Sequence, residues 1–230
     1  MGRRGPKPAK QTAIAKAALA LFVERGVKGA TTRAIAQRAR STESSLYRHY
    51  SGKDALARHV LASCLQTLAS ELEAGMARAN GARSRLRGYV QAYVEFGRRH
   101  PLEHAFLQQA HAQDLFGALE TVPRPRRLLS GLLAEGQASG EFHPIETRWL
   151  AAFLAGGLGR VCYAAWGRDP SSEATVSIDA LADLVERMVG CAPAQIAGNG
   201  HAANGRDSRG APEQVGAPQA AGRWNGGDGS

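Results

Sequence analysis

The sequence predicts an all-α protein, with a three-helix unit at its N-terminus and a larger helical body behind it. Apolar residues recur at i, i+3, i+4 and i+7 in one segment after another, which is the spacing of an amphipathic helix. No alternation of β-branched residues typical of a strand persists along the 230 residues. A hydrophobic share of 43% supplies enough apolar side chains for a sizeable core.

The N-terminal unit is predicted from three short apolar patterns and the residues between them. The first helix covers about residues 10–25, and Gly26 follows it as a C-cap glycine. The second helix, over about 32–39, begins at one of two adjacent threonines, whose hydroxyl serves as the N-cap. After a turn at 40–41, a third helix covers about residues 42–49.

A long fourth helix is predicted to join this unit to the body. Ser51 caps it, with Asp54 in the capping-box position, and its apolar stripe runs from Leu56 to Leu72 before the helix frays near Asn80. Turn signals separate five further helices, which are predicted near Arg83–Arg99, Pro101–Gln109, Arg124–Ser139, Glu146–Trp166 and Glu173–Gly190. Aliphatic side chains are scarce beyond about residue 192, which predicts a disordered tail.

Positive charge is concentrated at the N-terminal end of the chain. Residues 1–60 contain 13 Lys or Arg and 3 Asp or Glu, a net charge of +10, while residues 61–230 contain 16 and 17, a net charge of −1. A basic segment on a near-neutral body is typical of nucleic-acid binding, because phosphates supply most of the sequence-independent affinity. A basic face that only aids solubility is the alternative interpretation.

Enzymes and metalloproteins have little support in the sequence. Cys64, Cys162 and Cys191 are widely spaced and form no CxxC pair, which argues against structural zinc or a disulfide framework and favours a reducing compartment. A Gly-rich phosphate loop, a GxSxG elbow and an HExxH helix are all missing, so we expect no enzyme and no cofactor. His104 and His111 lie seven residues apart without a clear third ligand, so we expect no metal site.

The segment from Thr32 to Ser51 carries the functional signal. Its two short helices and tight turn form a helix-turn-helix, whose second helix lies in the major groove while the first crosses the backbone. Four motifs occur in and around it: Ala18-Leu-Ala-Leu-Phe22 followed by Glu24-Arg-Gly26, Thr31-Thr-Arg-Ala-Ile-Ala36, Leu46-Tyr-Arg-His-Tyr50 and Gly52-Lys-Asp-Ala-Leu56. On these motifs, about residues 10–60 resemble the tetracycline-repressor (TetR) family of bacterial regulators, whereas the body resembles it only in helix pattern and length.

The resemblance implies a homodimer that binds a palindromic operator in double-stranded DNA, usually as a repressor released by a small ligand. In the family, the residues matching Tyr47 and Lys53 usually contact phosphates. Positions matching Ser44, Ser45, Arg48 and His49 vary between members and tend to set the operator sequence. Of these, we expect Ser44, Ser45 and Arg48 to contact bases. The predicted DNA-binding residues are Thr31, Thr32, Arg33, Arg40, Thr42, Ser44, Ser45, Tyr47, Arg48, His49 and Lys53.

The turn of the helix-turn-helix departs from the family pattern. Arg40 stands where the family usually has glycine, and Ser41 stands where it usually has an apolar residue. A left-handed backbone at Arg40 costs about 1 kcal/mol relative to glycine, so we expect a reshaped or strained turn. We hypothesise that the Arg40 side chain compensates by reaching a phosphate. The basic arm over 1–9 either follows a minor groove or is a solvated tail.

The body is predicted to provide a dimer interface and an effector pocket. The predicted dimer residues are Trp149, Ala152, Phe153, Gly156, Arg160, Leu181, Leu184, Val185 and Met188. Part of each of these two helix faces must instead pack in the core of the same chain. A pocket for a small, hydrophobic effector is predicted from Phe96, His104, Phe106, Leu107, His111, Phe116, Leu132, Phe153 and Tyr163. Each of these aromatic side chains is alternatively ordinary core.

The predicted organisation has four parts: a flexible basic arm over 1–9, a helix-turn-helix domain over 10–56, a ligand-binding and dimerisation domain over 57–191, and a disordered tail over 192–230. The basic start is not followed by a secretory apolar run, so we expect a cytoplasmic protein. The alternative function is a helical small-molecule-binding module with weakened or lost DNA recognition, for which the unusual turn is the reason.

Overall fold

The computed structural model describes residues 7–112, 125–167, 169 and 171–190, which all lie within one compact unit. Over these residues the fold is all α, as the sequence predicts. The helices are α1 (Lys7–Gly29), α2 (Thr32–Arg38), α3 (Glu43–His49), α4 (Lys53–Met76), α5 (Ala82–Arg99), α6 (Pro101–Ala112), α7 (Pro125–Ala138), α8 (Thr147–Cys162) and α9 (Ile178–Val189). A π-helical turn, Tyr163–Gly167, extends α8. The predicted tail, most of the predicted arm and Phe116 lie outside the described residues.

Several helix ends differ from the sequence-based expectations. The first helix does not stop at Gly26 but bends there, with φ 69° and ψ 163°, and continues to Gly29. The predicted Ser51 cap is wrong, because α4 begins one residue after Gly52 and has no side-chain cap. The last helix begins only at residue 178, where the Ser177 hydroxyl accepts a hydrogen bond from the Ala180 N–H.

The N-terminal unit is built around apolar side chains from α1 to α4. Ile14 and Phe22 of α1 are fully buried, as are Ile35 of α2 and Leu46 of α3. Leu56, in the first turn of α4, belongs to the same core. Because α3 buries one face in this core, its opposite face is left on the surface of the protein.

The connection between the two parts of the fold is a close pair of helices, α4 and α5. A Cβ atom placed on Gly88 would lie 2.5 Å from the carbonyl oxygen of Gly75, and one placed on Gly75 would lie 2.7 Å from the Ala92 Cβ. Arg99 of α5 also forms an ion pair with Glu71 of α4, with 2.9 Å between Nη2 and Oε2. The backbones of α4 and α5 are therefore in direct contact, which only glycine allows at these positions.

The first turn of α5 is capped by a residue distant in sequence. The helix begins after Gly81, which has no side chain to accept hydrogen bonds from the free N–H groups. Glu141, in the loop before α8, accepts them from Ala82 at 3.1 Å and from Arg83 at 3.0 Å. These backbone hydrogen bonds lower the pKa of the Glu141 carboxyl group, and the one from Arg83 has the largest effect.

Candidate DNA-binding site

The turn between α2 and α3 is a Schellman motif with arginine in its left-handed position. Arg40 has φ 49° and is the one non-glycine residue with positive φ in the described part of the chain. The Ser41 N–H donates to the Ala36 carbonyl at 2.9 Å, and the Arg40 N–H donates to the Gln37 carbonyl at 3.0 Å. The turn thus keeps the geometry that glycine usually provides, with the strain that arginine brings.

Threonine hydroxyls cap both helices of the motif. The Thr31 hydroxyl accepts a hydrogen bond from the Ala34 N–H at 3.2 Å, and the Thr42 hydroxyl accepts one from the Ser45 N–H at 3.2 Å. Each of these hydroxyls retains its own proton to donate. Thr32 is different, because its hydroxyl already donates to the Glu43 carboxylate at 2.8 Å.

A group of polar side chains on α2, the turn and α3 is exposed and free to contact DNA. Tyr47 is 54% exposed, which is unusual for an aromatic residue in a folded domain. The side chains in this group form no hydrogen bond or ion pair with any other described residue. They belong to Arg33, Arg40, Ser44, Tyr47 and Arg48.

Two other predicted contact residues of α3 are less accessible. Ser45 is only 3% exposed, and its buried hydroxyl oxygen has no partner among the described residues. A base contact at Ser45 therefore does not fit its position, because the residue faces inward beside Leu46. His49 is half-buried, with its ring centroid 6.4 Å from that of Tyr50.

Lys53 has a structural role that sequence reasoning missed. Its Nζ donates to the carbonyl oxygen of Lys28 at 3.1 Å and to that of Ala30 at 3.0 Å. The ammonium group therefore ties the start of α4 to the end of α1, with one of its three protons left for a phosphate. These carbonyls come within its reach beyond the bend at Gly26, which spacing along the sequence does not reveal.

The same residues match a known family. The family model described as "Bacterial regulatory proteins, tetR family" matches residues 14–60, which span the helix-turn-helix from α1 into α4. The HTH-type transcriptional repressor KstR2 of Mycolicibacterium smegmatis (strain ATCC 700084 / mc(2)155) is 28% identical over 137 residues. That alignment covers 55% of this chain and 64% of the relative, which is less than two thirds of the relative's length.

Residues 14–60 therefore match the TetR family. Solved structures of the same fold include the fatty acid degradation regulator FadR from Bacillus halodurans, with a TM-score of 0.64 and 21% identity over 81% of this chain and 96% of that one. The ketosteroid transcriptional regulator KstR2 of Mycobacterium tuberculosis gives a TM-score of 0.62 and 20% identity over 79% and 95% of the two chains. The fold that these structures share with this chain therefore extends from the helix-turn-helix through the body.

In the body, the predicted dimer residues divide by exposure. Trp149 is 62% exposed, Phe153 is 66% exposed and Leu184 is 47% exposed. Gly156 and Arg160 are also exposed, whereas Ala152, Leu181 and Met188 are half-buried. Val185 is only 4% exposed and belongs to the intrachain core. We call the exposed stripe of Trp149, Phe153, Gly156 and Arg160 the α8 face.

The predicted pocket residues of the body also fall into groups. Those that are buried are Phe96, His104, Phe106, Leu107 and Leu132, while Tyr163 is half-buried. Phe153 does not fit a pocket wall, because it lies exposed on the α8 face. The side chain of His111 lies outside the described residues. A separate cleft of about 440 Å³ lies beside Trp166, between α5 and the segment 172–178, and none of the predicted pocket residues lines it.

Buried polar groups with no partner among the described residues lie on α5 and α6, the helices that carry several of the predicted pocket residues. The His104 ring packs edge-on against Tyr93, with 5.8 Å between centroids, and its Nε2 has no hydrogen-bond partner among the described residues. Burial lowers the pKa of His104 to about 4, so the ring is neutral at pH 7. The Tyr89 hydroxyl is likewise buried without a partner. Sequence reasoning missed Tyr89 and Tyr93, because their helical spacing is that of ordinary core residues.

We expect Arg40→Gly to stabilise the TetR-family helix-turn-helix by about 1 kcal/mol, because glycine adopts a left-handed backbone without strain. If the Arg40 side chain reaches a phosphate, DNA binding by the variant should also depend less on salt. The slope of log K against log salt concentration should decrease in magnitude by about one per half-site. Denaturant unfolding and binding to DNA across a salt series measure the two effects. Arg126→Ala, at an exposed arginine of α7, is the matched control, and an unchanged salt slope in Arg40→Gly contradicts the phosphate contact.

Proposed function

We propose that the protein is a cytoplasmic transcriptional repressor that binds a palindromic operator as a homodimer and is released by a small hydrophobic molecule. The observation that carries the proposal is the exposed polar face of α3, in a helix-turn-helix of the TetR family. This face belongs to a unit with a net charge of +10 over residues 1–60, which attracts the DNA backbone.

The contacts of the proposed complex follow from the chemistry of the exposed side chains. Arg48 and Ser44 are exposed on α3, the helix that would enter the major groove, which supports their assignment as base contacts. Tyr47, Thr31 and the remaining Lys53 proton are suited to phosphates, which position the helix without reading the sequence.

The α8 face supports the proposed homodimer. Helix α8 with its π-helical turn, Thr147–Gly167, is long and apolar enough to cross a membrane, but core helices of soluble proteins share those properties. Its apolar side chains divide between the core and the α8 face. On that face, Trp149 and Phe153 are more exposed than neighbouring aromatic side chains usually are on a monomeric protein. A symmetric dimer that buries this face would present two α3 helices to the two halves of a palindrome.

The buried wall of aromatic and aliphatic side chains supports a hydrophobic effector. Phe96 and Phe106 offer apolar surface, while His104 and Tyr89 offer hydrogen-bonding groups that lack partners. A ligand with an apolar body and a single neutral polar group would satisfy both features. Two structural relatives are a fatty acid degradation regulator and a ketosteroid transcriptional regulator, which accords with such a ligand.

Selection of genomic DNA fragments by the purified protein tests the proposal. We expect a palindromic site that a dimer binds, and about 100-fold weaker binding by Arg48→Ala, because the variant loses a contact in both half-sites. Arg126→Ala, which removes an arginine from the exposed surface of α7, should bind as the wild type does. Weak binding to all sequences alike by the wild-type protein would contradict the proposal and favour the small-molecule-binding module.

A further inference from the structure

We propose that Glu43 selects the operator sequence by accepting a hydrogen bond from the N4 amino group of a cytosine in each half-site. The inference rests on the proposed function, since it concerns how the same helix-turn-helix recognises its operator. It starts from one contact between the two helices of the motif, the hydrogen bond from Thr32 to Glu43.

Glu43 has the position that a base-reading residue needs. It is the first residue of α3 and directly follows Thr42, the N-cap of that helix. In a helix-turn-helix, the residues at the N-terminal end of the recognition helix contact the base edges. Glu43 is half-buried, and its neighbour Ser44 on the same helix is exposed. The carboxylate therefore lies at the edge of the surface that would meet the major groove.

Thr32 holds the Glu43 carboxylate in place before DNA arrives. The hydroxyl of Thr32 donates to Oε2 at 2.8 Å, so one oxygen is oriented by α2. A carboxylate has about four acceptor positions over its two oxygens, and this bond occupies one of them. The other oxygen, Oε1, accepts no hydrogen bond from any described residue and is available to a base. Holding the side chain in advance reduces the entropy that is lost on binding.

The chemistry of a carboxylate identifies the base. An ionised carboxylate only accepts hydrogen bonds, and the major-groove edges of guanine and thymine present acceptors to it. Adenine presents a donor at N6 beside an acceptor at N7, which would repel the carboxylate. Cytosine presents the N4 donor alone, so it is the base that Glu43 favours. Phosphates also repel Glu43, and the residue therefore raises discrimination without adding sequence-independent affinity.

The DNA selection experiment, repeated with variants of Glu43 and Thr32, tests this inference. In the wild type, we expect one position of each half-site to prefer cytosine by about tenfold over the other bases. Glu43→Gln has nearly the same shape but both donates and accepts, so the preference should fall to about twofold while binding to unrelated DNA becomes stronger. Thr32→Val removes the hydroxyl and should reduce the preference, whereas Thr32→Ser restores the donor and should retain it.

The outcomes separate the inference from the proposed function. If Glu43→Gln selects the same motif with the same cytosine preference, or weakens binding to every sequence equally, then Glu43 only joins α2 to α3 and the inference is overturned alone. A wild-type protein that selects no motif overturns the proposed function, and this inference with it. Melting temperatures of all four proteins show whether each variant is folded when its motif is determined.

Discussion

Replacing Trp149 and Phe153 together with glutamate is expected to make the protein monomeric and to weaken its binding to a two-half-site operator by at least about 100-fold. The two side chains are 62% and 66% exposed and lie one helical turn apart on the α8 face. In a dimer that buries this face, the variant would place four carboxylates where four aromatic side chains had packed, at a cost of several kcal/mol for each one that Arg160 of the α8 face does not pair. A lone subunit, in contrast, already exposes both positions to water, so its stability should change little.

Sedimentation velocity and titration of operator DNA measure the two consequences of that double substitution. Ala134→Glu adds a carboxylate at an exposed position of α7 and should leave both the dimer and the DNA affinity unchanged. Binding to a single half-site should be similar for the variant and the wild type, because α3 is untouched. A variant that remains dimeric would show that the subunits meet through another surface.

Gly88→Val is expected to lower the free energy of unfolding by about 3 kcal/mol, and Gly88→Ala by about 2 kcal/mol. The added Cβ would lie 2.5 Å from the Gly75 carbonyl oxygen. Rotation of a side chain cannot relieve this contact, because the oxygen is a backbone atom and the Cβ is bonded directly to the backbone. The helices must separate, and the apolar side chains beside them then lose contact.

Gly131→Ala is the matched control for the Gly88 variants. Gly131 also lies within a helix, but a Cβ placed on it meets no atom within 4 Å. Alanine there should therefore stabilise the protein by up to about 1 kcal/mol through helix propensity. Denaturant unfolding at one fixed protein concentration compares the three variants with the wild type. Equal stability of Gly88→Ala and Gly131→Ala would contradict direct contact between α4 and α5.

The elements of this fold that sequence reasoning predicted best are those with local causes. The predicted helices over 83–99 and 101–109 agree closely with α5 and α6, because an apolar period and a flanking turn are local properties. The left-handed backbone at Arg40 was similarly expected from its place in the motif. Residues that form long-range contacts were not predicted in this way. Glu141, for example, caps a helix that begins about 60 residues before it.

The candidate site shows the same limit at the level of single side chains. Polarity marked Ser45 as a base contact, but packing in the core of the helix-turn-helix buries it. Charge marked Lys53 as a phosphate contact, but the bend of α1 brings two carbonyl groups to it. Sequence reasoning assigned Phe153 to both the pocket and the dimer interface, but it is exposed on the α8 face. Apolar residues have the same spacing along a helix whether they face a core or an interface, so spacing does not distinguish the two.

The contact between Gly75 and Gly88 has a mechanical consequence. Most packed helices touch through side chains, which accommodate small displacements by small changes in their torsion angles. Where α4 and α5 touch through backbone atoms, no such adjustable layer lies between them. The two helices therefore form a stiff joint at this point, because neither can move toward the other without a clash between backbone atoms.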